Sequence, residues 1–141
     1  MTMPSETRPA SKGTILCVDD EADILQMIEA LLRSEGYDPI LGHGGQEGLE
    51  LFRKYRKELV AVILDIRMPR MDGFQVAQEI RAQSPGIPLI ALSAYLGGHD
   101  QTDALMKCQE AGFNAYATKP FSVYPFLDTL ATWIESYKKH R

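Results

Sequence analysis

The sequence predicts an α/β fold: a single five-stranded parallel sheet with helices on both faces. Three observations point to it. Five short apolar runs recur along the chain, segments with helical spacing of apolar residues lie between them, and the order is strand then helix throughout. That alternation builds a parallel sheet through right-handed crossovers.

The first run, TILCV at 14–18, is followed by a stripe of Ile24, Ile28, Leu31 and Leu32, which Gly36 closes as a C-terminal cap. The second, YDPIL at 37–41, carries Pro39, which lacks the N–H that a central strand must donate. This strand therefore belongs at an edge. Leu49 and Phe52 mark the second helix. LVAVIL at 59–64 is the most continuously apolar stretch and reads as a buried central strand, with Phe74, Ala77 and Ile80 marking the helix after it. IPLIAL at 87–92 leads to a fourth helix through Ala104, Leu105 and Cys108, ended by Gly112. NAYAT at 114–118 precedes a fifth, which Ser122 can cap. Its apolar positions are Leu127, Leu130 and Ile134, and its basic end, KKHR, suits the negative pole of a helix. With the second strand at an edge, the favoured strand order is 2-1-3-4-5, the flavodoxin-like arrangement.

A chain of 141 residues, 45% apolar and 24% charged, has room for one domain with a real core. Residues 1–12, rich in Pro, Ser and Thr, read as a disordered tail, and 13–141 as the domain. The net charge of −4 argues against nucleic acid as a direct partner. No stretch approaches the roughly 20 apolar residues that a membrane span needs, and the N-terminus lacks the apolar core of a signal peptide. Cys17 and Cys108 have no metal-ligand or redox spacing, which predicts reduced, buried thiols and a cytoplasmic protein.

In such a sheet, ligands bind beyond the carboxyl ends of the strands, where the strand order reverses. Asp19 and Asp20 follow the first strand, Asp65 the third, Ser93 the fourth and Lys119 the fifth. All fall on one edge, and the first and third strands are neighbours. Three carboxylates should therefore converge. Two unit charges about 5 Å apart repel by roughly 3 kcal/mol at an effective dielectric of 20. A raised pKa or a bound cation relieves this. Mg²⁺ suits a site with few protein ligands and room for water and a phosphoryl oxygen. A carboxylate is also a competent nucleophile towards phosphorus, and Lys119 and Ser93 offer a cation and a donor to the transferred group. A helix N-cap accounts for one of Asp19 and Asp20, but not for both beside Asp65.

VDD at 18–20, LDIRMPRMDG at 64–73, LSA at 92–94 and YATKPF at 116–121, in this order and spacing, resemble the response-regulator receiver domain of two-component signalling. The resemblance covers about residues 13–139. It implies that Asp65 is the phosphoacceptor and Asp20 a direct Mg²⁺ ligand. Asp19 would reach the ion mainly through water, and Arg67 through its backbone carbonyl. It further implies that Lys119 and Ser93 contact the phosphoryl group, that Tyr116 is an aromatic switch, and that Lys119–Pro120 is cis. In receivers, the residues two past the phosphorylated Asp and two past the Ser/Thr overhang the attacking water. Here these are Arg67 and Tyr95, both large, which predicts slow dephosphorylation.

The implied partners are a sensor histidine kinase or histidine phosphotransfer protein upstream. Downstream, the implied partner is a protein or a second copy, engaged through the face of the fourth helix, fifth strand and fifth helix. A second apolar stripe on the fifth helix, Phe126, Trp133 and Tyr137, is expected to serve that face. The domain is expected to catalyse only its own phosphorylation and dephosphorylation. The initial Met and the lack of a following output segment favour a stand-alone receiver. The alternative is a fragment of a longer regulator or hybrid kinase with a DNA-binding or enzymatic output. GHGGQEG at 42–48 mimics a dinucleotide fingerprint, but its glycine spacing is wrong and it would leave the DD and KP motifs idle. An Asp-based phosphatase of the haloacid type wants a second Asp where Arg67 stands. The stretch from Ser93 to Gly112 is longer than the family pattern, and Gly97-Gly98 should make the loop before the fourth helix mobile. His43, His99 and His140 stand in loops and a terminus, with no ligand partner at a useful spacing.

Overall fold

Pro39 and the unbroken apolar run at 59–64 place their strands as expected, one at the sheet edge and the other at its centre. A computed structural model describes residues 11–94 and 101–140, without the side chains of 101 and 102. The elements run β1 (Thr14–Val18), α1 (Ala22–Ser34), β2 (Asp38–Gly42), α2 (Gly45–Tyr55), β3 (Leu59–Leu64), α3 (Gly73–Gln83), β4 (Leu89–Leu92), α4 (Gln101–Ala111), β5 (Ala115–Ala117) and α5 (Val123–His140). All strand pairs are parallel, in the order β2-β1-β3-β4-β5.

Both sheet faces are covered, so β3 is buried at every position. On one face Leu16, Val18, Val62 and Leu64 meet Leu49 and Phe52 of α2, Val76, Ala77 and Ile80 of α3, and Ala104 and Cys108 of α4. On the other, Ile15, Cys17, Ala61 and Ile63 meet Leu25, Ile28 and Leu32 of α1 and Phe126, Leu127, Leu130 and Ile134 of α5. A register shift opposite Thr14/Ile15 pairs Thr14 with Leu59 and Ile15 with Ala61, leaving Val60 as an extra residue. Val60 and Ala61 consequently share a face.

Some details differ from the sequence pattern. In α1 the deepest residues are Leu25, Ile28 and Leu32, with Ile24 and Leu31 on the flanks of the buried stripe. In α3, Val76 is buried and Phe74 only partly so. Strand β4 starts at Leu89 and not at Ile87, because Pro88 has no N–H for the ladder, although its carbonyl accepts from Val62 (2.9 Å). Gly36 (φ +91°) caps α1 as expected, with its own N–H and that of Tyr37 donating back to Arg33 and Leu32. Ser11 and Lys12 already belong to the folded part: the Ser11 hydroxyl donates to Asp38 (2.6 Å) and the Lys12 N–H to Gly36 (3.0 Å). Cys17 and Cys108 are both buried and free, and burial raises both thiols, Cys108 to about 11. Tyr95, Gly97, Gly98 and His99 lie outside the described residues.

Candidate functional site

The polar residues at the strand ends take their backbone positions from the sheet itself. The N–H of Asp19 donates to Gly42 (3.1 Å), that of Asp65 to Val18 (2.9 Å), that of Ser93 to Ala117 (3.1 Å) and that of Lys119 to Ser93 (3.4 Å). Val18 pairs with Leu64, so Asp19 and Asp65 leave neighbouring strands at the same level. The chain after Asp65 then folds tightly back. Gly73 donates its N–H to Ile66 (2.8 Å), and a Cβ there would stand 2.3 Å from the Asp65 carbonyl oxygen. Only glycine lets α3 begin so close. Asp72 caps that helix reciprocally: its carboxylate accepts from the Gln75 N–H and the Gln75 side chain accepts from the Asp72 N–H, both at 3.0 Å.

Asp19, Asp65 and Ser93 are buried, and Asp20 is exposed at the rim. One carboxylate oxygen each from Asp19, Asp20, Glu21 and Asp65 lies within 4.8 Å of the others. Lys119, whose side chain is 12% exposed, reaches into this group at 2.8 Å from Asp19, 3.3 Å from Glu21 and 3.6 Å from Asp65. Its single charge does not balance four. Burial first, and then the neighbouring Asp19 charge, push the Asp65 carboxyl up to about 6. Lys119 and hydrogen bonds from the Ser93 hydroxyl and the Arg67 backbone pull it partly back. Burial by itself would lower the Lys119 ammonium, but Asp19, Asp65 and Glu21 together raise it. An all-oxygen donor set with surplus negative charge, open on the Asp20 side, fits a hard divalent cation.

Glu21 was not singled out by sequence reasoning, because it stands where α1 begins and reads as an ordinary helix-start acid. The available signal was a third carboxylate directly after the pair. Asp19 accepts the Glu21 N–H (2.9 Å), so the helix start is tied to the site. Arg67 is exposed, and the Lys119–Pro120 peptide is cis. Tyr116 lies in β5 with its ring outward, 46% exposed.

The glycines of GHGGQEG serve close packing. A Cβ on Gly48 would meet the Val18 side chain at 2.8 Å, and one on Gly45 the Met71 carbonyl at 2.9 Å. They seat the start of α2 against β1 and the β3–α3 turn. The His43 N–H donates to the Glu47 carboxylate at 2.7 Å, and the His43 ring lies 3.3 Å from it, a local helix-start contact. His140 lies 3.0 Å from the Ser136 carbonyl.

A family model described as the response regulator receiver domain matches residues 15–131. The chain belongs to this family. Receiver domains are components of two-component signalling, and the fold agrees. The chain is similar to a receiver domain protein from Clostridium thermocellum at TM-score 0.82 and 27% identity, covering 92% of this chain and 99% of that one. It is similar to the chemotaxis protein CheY4 of Vibrio cholerae at TM-score 0.77 and 28% identity, covering 87% and 98%. Among curated proteins, it is 40% identical over 111 residues to a probable transcriptional regulator, ycf27, of Porphyridium aerugineum, covering 79% of this chain and 43% of that protein. It is 33% identical over 142 residues to the transcriptional regulatory protein PdtaR of Mycobacterium tuberculosis, covering 99% and 65%. This receiver thus spans less than half the length of the first and about two thirds of the second. Among the described residues, no helix is long and apolar enough to cross a membrane.

Proposed function

We propose that this receiver takes a phosphoryl group onto Asp65 from the phosphohistidine of a sensor kinase or a histidine phosphotransfer protein, with Mg²⁺ bound, and changes shape to control a partner. Asp65 itself carries this conclusion: a buried carboxylate at the end of the central strand, with Lys119 at 3.6 Å and three further carboxylates clustered about it. One Asp65 oxygen bonds to phosphorus as the bond from phosphorus to the donor's imidazole nitrogen breaks, and that electron pair returns to the ring. Bound Mg²⁺ would offset the clustered negative charge and stabilise the phosphoryl oxygens. Asp20 and Asp65 would hold the ion directly, Asp19 mainly through water, and Arg67 through its backbone carbonyl. Lys119 and the Ser93 hydroxyl would supply cation and donor to the transferred group, and Tyr116, outward here, would follow Ser93 as the switch. Such a domain turns over no metabolite, and a phosphohistidine donor places it in the cytoplasm.

Acetyl phosphate or beryllofluoride tests this directly. Both are expected to modify or bind the wild type only with Mg²⁺, and Asp20→Asn to raise the Mg²⁺ requirement by about tenfold or more, since even an outer-shell partner of a metal is worth that much. Modification that persists in EDTA would overturn the assignment.

The phosphoryl group is expected to be held long. Arg67, exposed beside Asp65, can donate to phosphoryl oxygens and crowd the attacking water. Arg67→Asn should therefore speed decay about tenfold, equivalent to about 1.4 kcal/mol. Tyr95→Ala is expected to act in the same direction. Decay measured at saturating Mg²⁺ and unchanged in both variants would remove the shielding role.

Output is assigned to the face of α4, β5 and α5. Met106, Tyr116 and Trp133 are exposed on these three elements in turn. A cavity of about 340 Å³ lies alongside, lined by Tyr116, Pro120, Phe121 and Pro125 among others. The second stripe of α5 contributes less than its sequence suggested. Phe126 is buried in the core and Tyr137 partly so, which leaves Trp133 as its open member. Output through an attached transcriptional domain is a second reading, favoured by the longer curated relatives.

A further inference from the structure

We propose that Glu21 is a positioning residue that latches Lys119 on the Asp19 side of the site, and that this latch opposes engagement of a phosphoryl group by the lysine. The proposal rests on Asp65 being the phosphoacceptor. The Lys119 ammonium is nearer to Asp19 (2.8 Å) and Glu21 (3.3 Å) than to Asp65 (3.6 Å). Two of the three carboxylates are buried strand-end groups, whereas the Glu21 side chain is 61% exposed. Its backbone is held at the start of α1 by the Asp19 carboxylate, so its reach to Lys119 is set by side-chain length.

A divalent cation among Asp19, Asp20 and Asp65 would compete with Lys119 for the Asp19 charge and weaken that tether. The Glu21 tether would remain. A phosphoryl oxygen on Asp65 would draw Lys119 away from the Asp19 side, and a carboxylate competing there for the same ammonium weakens the new contact. Glu21 thereby lowers the affinity of the activated state without touching the reacting atoms.

The full chain at saturating Mg²⁺, titrated with beryllofluoride and followed by ¹⁹F NMR, tests this. Glu21→Gln and Glu21→Asp are both expected to bind beryllofluoride about two- to fivefold more tightly than the wild type, the range for an ion pair with one exposed partner. Aspartate keeps the charge but its shorter side chain withdraws it from Lys119. An aspartate variant that behaves like the wild type would assign the effect to the local field and overturn the latch, as would a glutamine variant with no gain. In the metal-free protein, NMR relaxation of the Lys119 side chain should show greater motion in both variants, and unchanged motion would also overturn it. Failure of the wild type to bind beryllofluoride would overturn the role of Asp65 and the latch together. Wild-type binding without gain in the variants would overturn the latch alone.

Discussion

Asp65→Asn will accept no phosphoryl group and will nevertheless be the more stable protein at neutral pH. The first half follows from chemistry, since an amide oxygen is not a nucleophile towards phosphorus under these conditions. The second follows from burial. The folded carboxyl titrates near 6, against about 3.9 in an unfolded chain. Above pH 6 the folded wild type carries a charge that its surroundings disfavour. As pH falls from 6 towards 4, the folded state binds a proton that the unfolded state does not, and the wild type gains stability relative to the variant. Below about pH 4 both states are protonated and the difference vanishes. Asparagine should therefore add about 1–2 kcal/mol at pH 7.5 and almost nothing at pH 4. Urea denaturation in EDTA at the two pH values measures this. An advantage that is absent at pH 7.5, or equal at both, would show that the Asp65 charge is not what strains the fold.

Arg81→Ala will destabilise the domain by about 2–4 kcal/mol, with the urea midpoint shifted and the slope unchanged. Arg81 is in the last turn of α3, and its guanidinium gathers acceptors from two segments, those leading into β4 and β5. Nη1 donates to the carbonyls of Ser84 (3.1 Å), Pro85 (2.9 Å) and Ile87 (2.7 Å). Nη2 donates to the Gly112 carbonyl (2.6 Å) and to Asn114 Oδ1 (3.0 Å), and Nε donates to Gly112 again (3.2 Å). Asn114 Oδ1 in turn accepts the N–H that opens β4 (2.8 Å). Truncation takes the guanidinium donors away from the half-buried carbonyls of Ser84, Ile87 and Gly112, and each such loss costs about 1 kcal/mol or more. Lysine should rescue little, because a single ammonium cannot serve acceptors spread over a planar fork. Full rescue by Arg81→Lys would mean that charge, and not geometry, is what matters there.

The fold and most of the site were legible because each rested on a local rule. Pro39 cannot donate, so its strand went to the edge. Asp19, Asp65, Ser93 and Lys119 each follow a strand, so a parallel sheet must bring them to one side. The stripe of α1 was read correctly at Ile28 and Leu32 and missed Leu25: Ile24 and Leu25 are both strongly apolar, and only the sheet decides which of them lies deepest. Glu21 escaped because its contact is with Lys119, 98 residues away. Arg81 escaped for the same kind of reason, since backbone carbonyls carry no sequence signature. The glycines of GHGGQEG were conspicuous, but their purpose, contact with Val18 and Met71, exists only after α2 has docked.

Because the backbones of Asp19, Asp65 and Ser93 are fixed by inter-strand hydrogen bonds, their spacing is a property of the sheet and not of the loops around it. Loop excursions on the nanosecond scale leave the separation of these groups nearly constant, and it drifts only when β1, β3 or β4 itself opens. The carboxylates therefore bear their mutual repulsion continuously, with no low-energy fluctuation through which to relax. Tempering that repulsion falls to what can move, the Lys119 ammonium and whatever cation arrives from solvent.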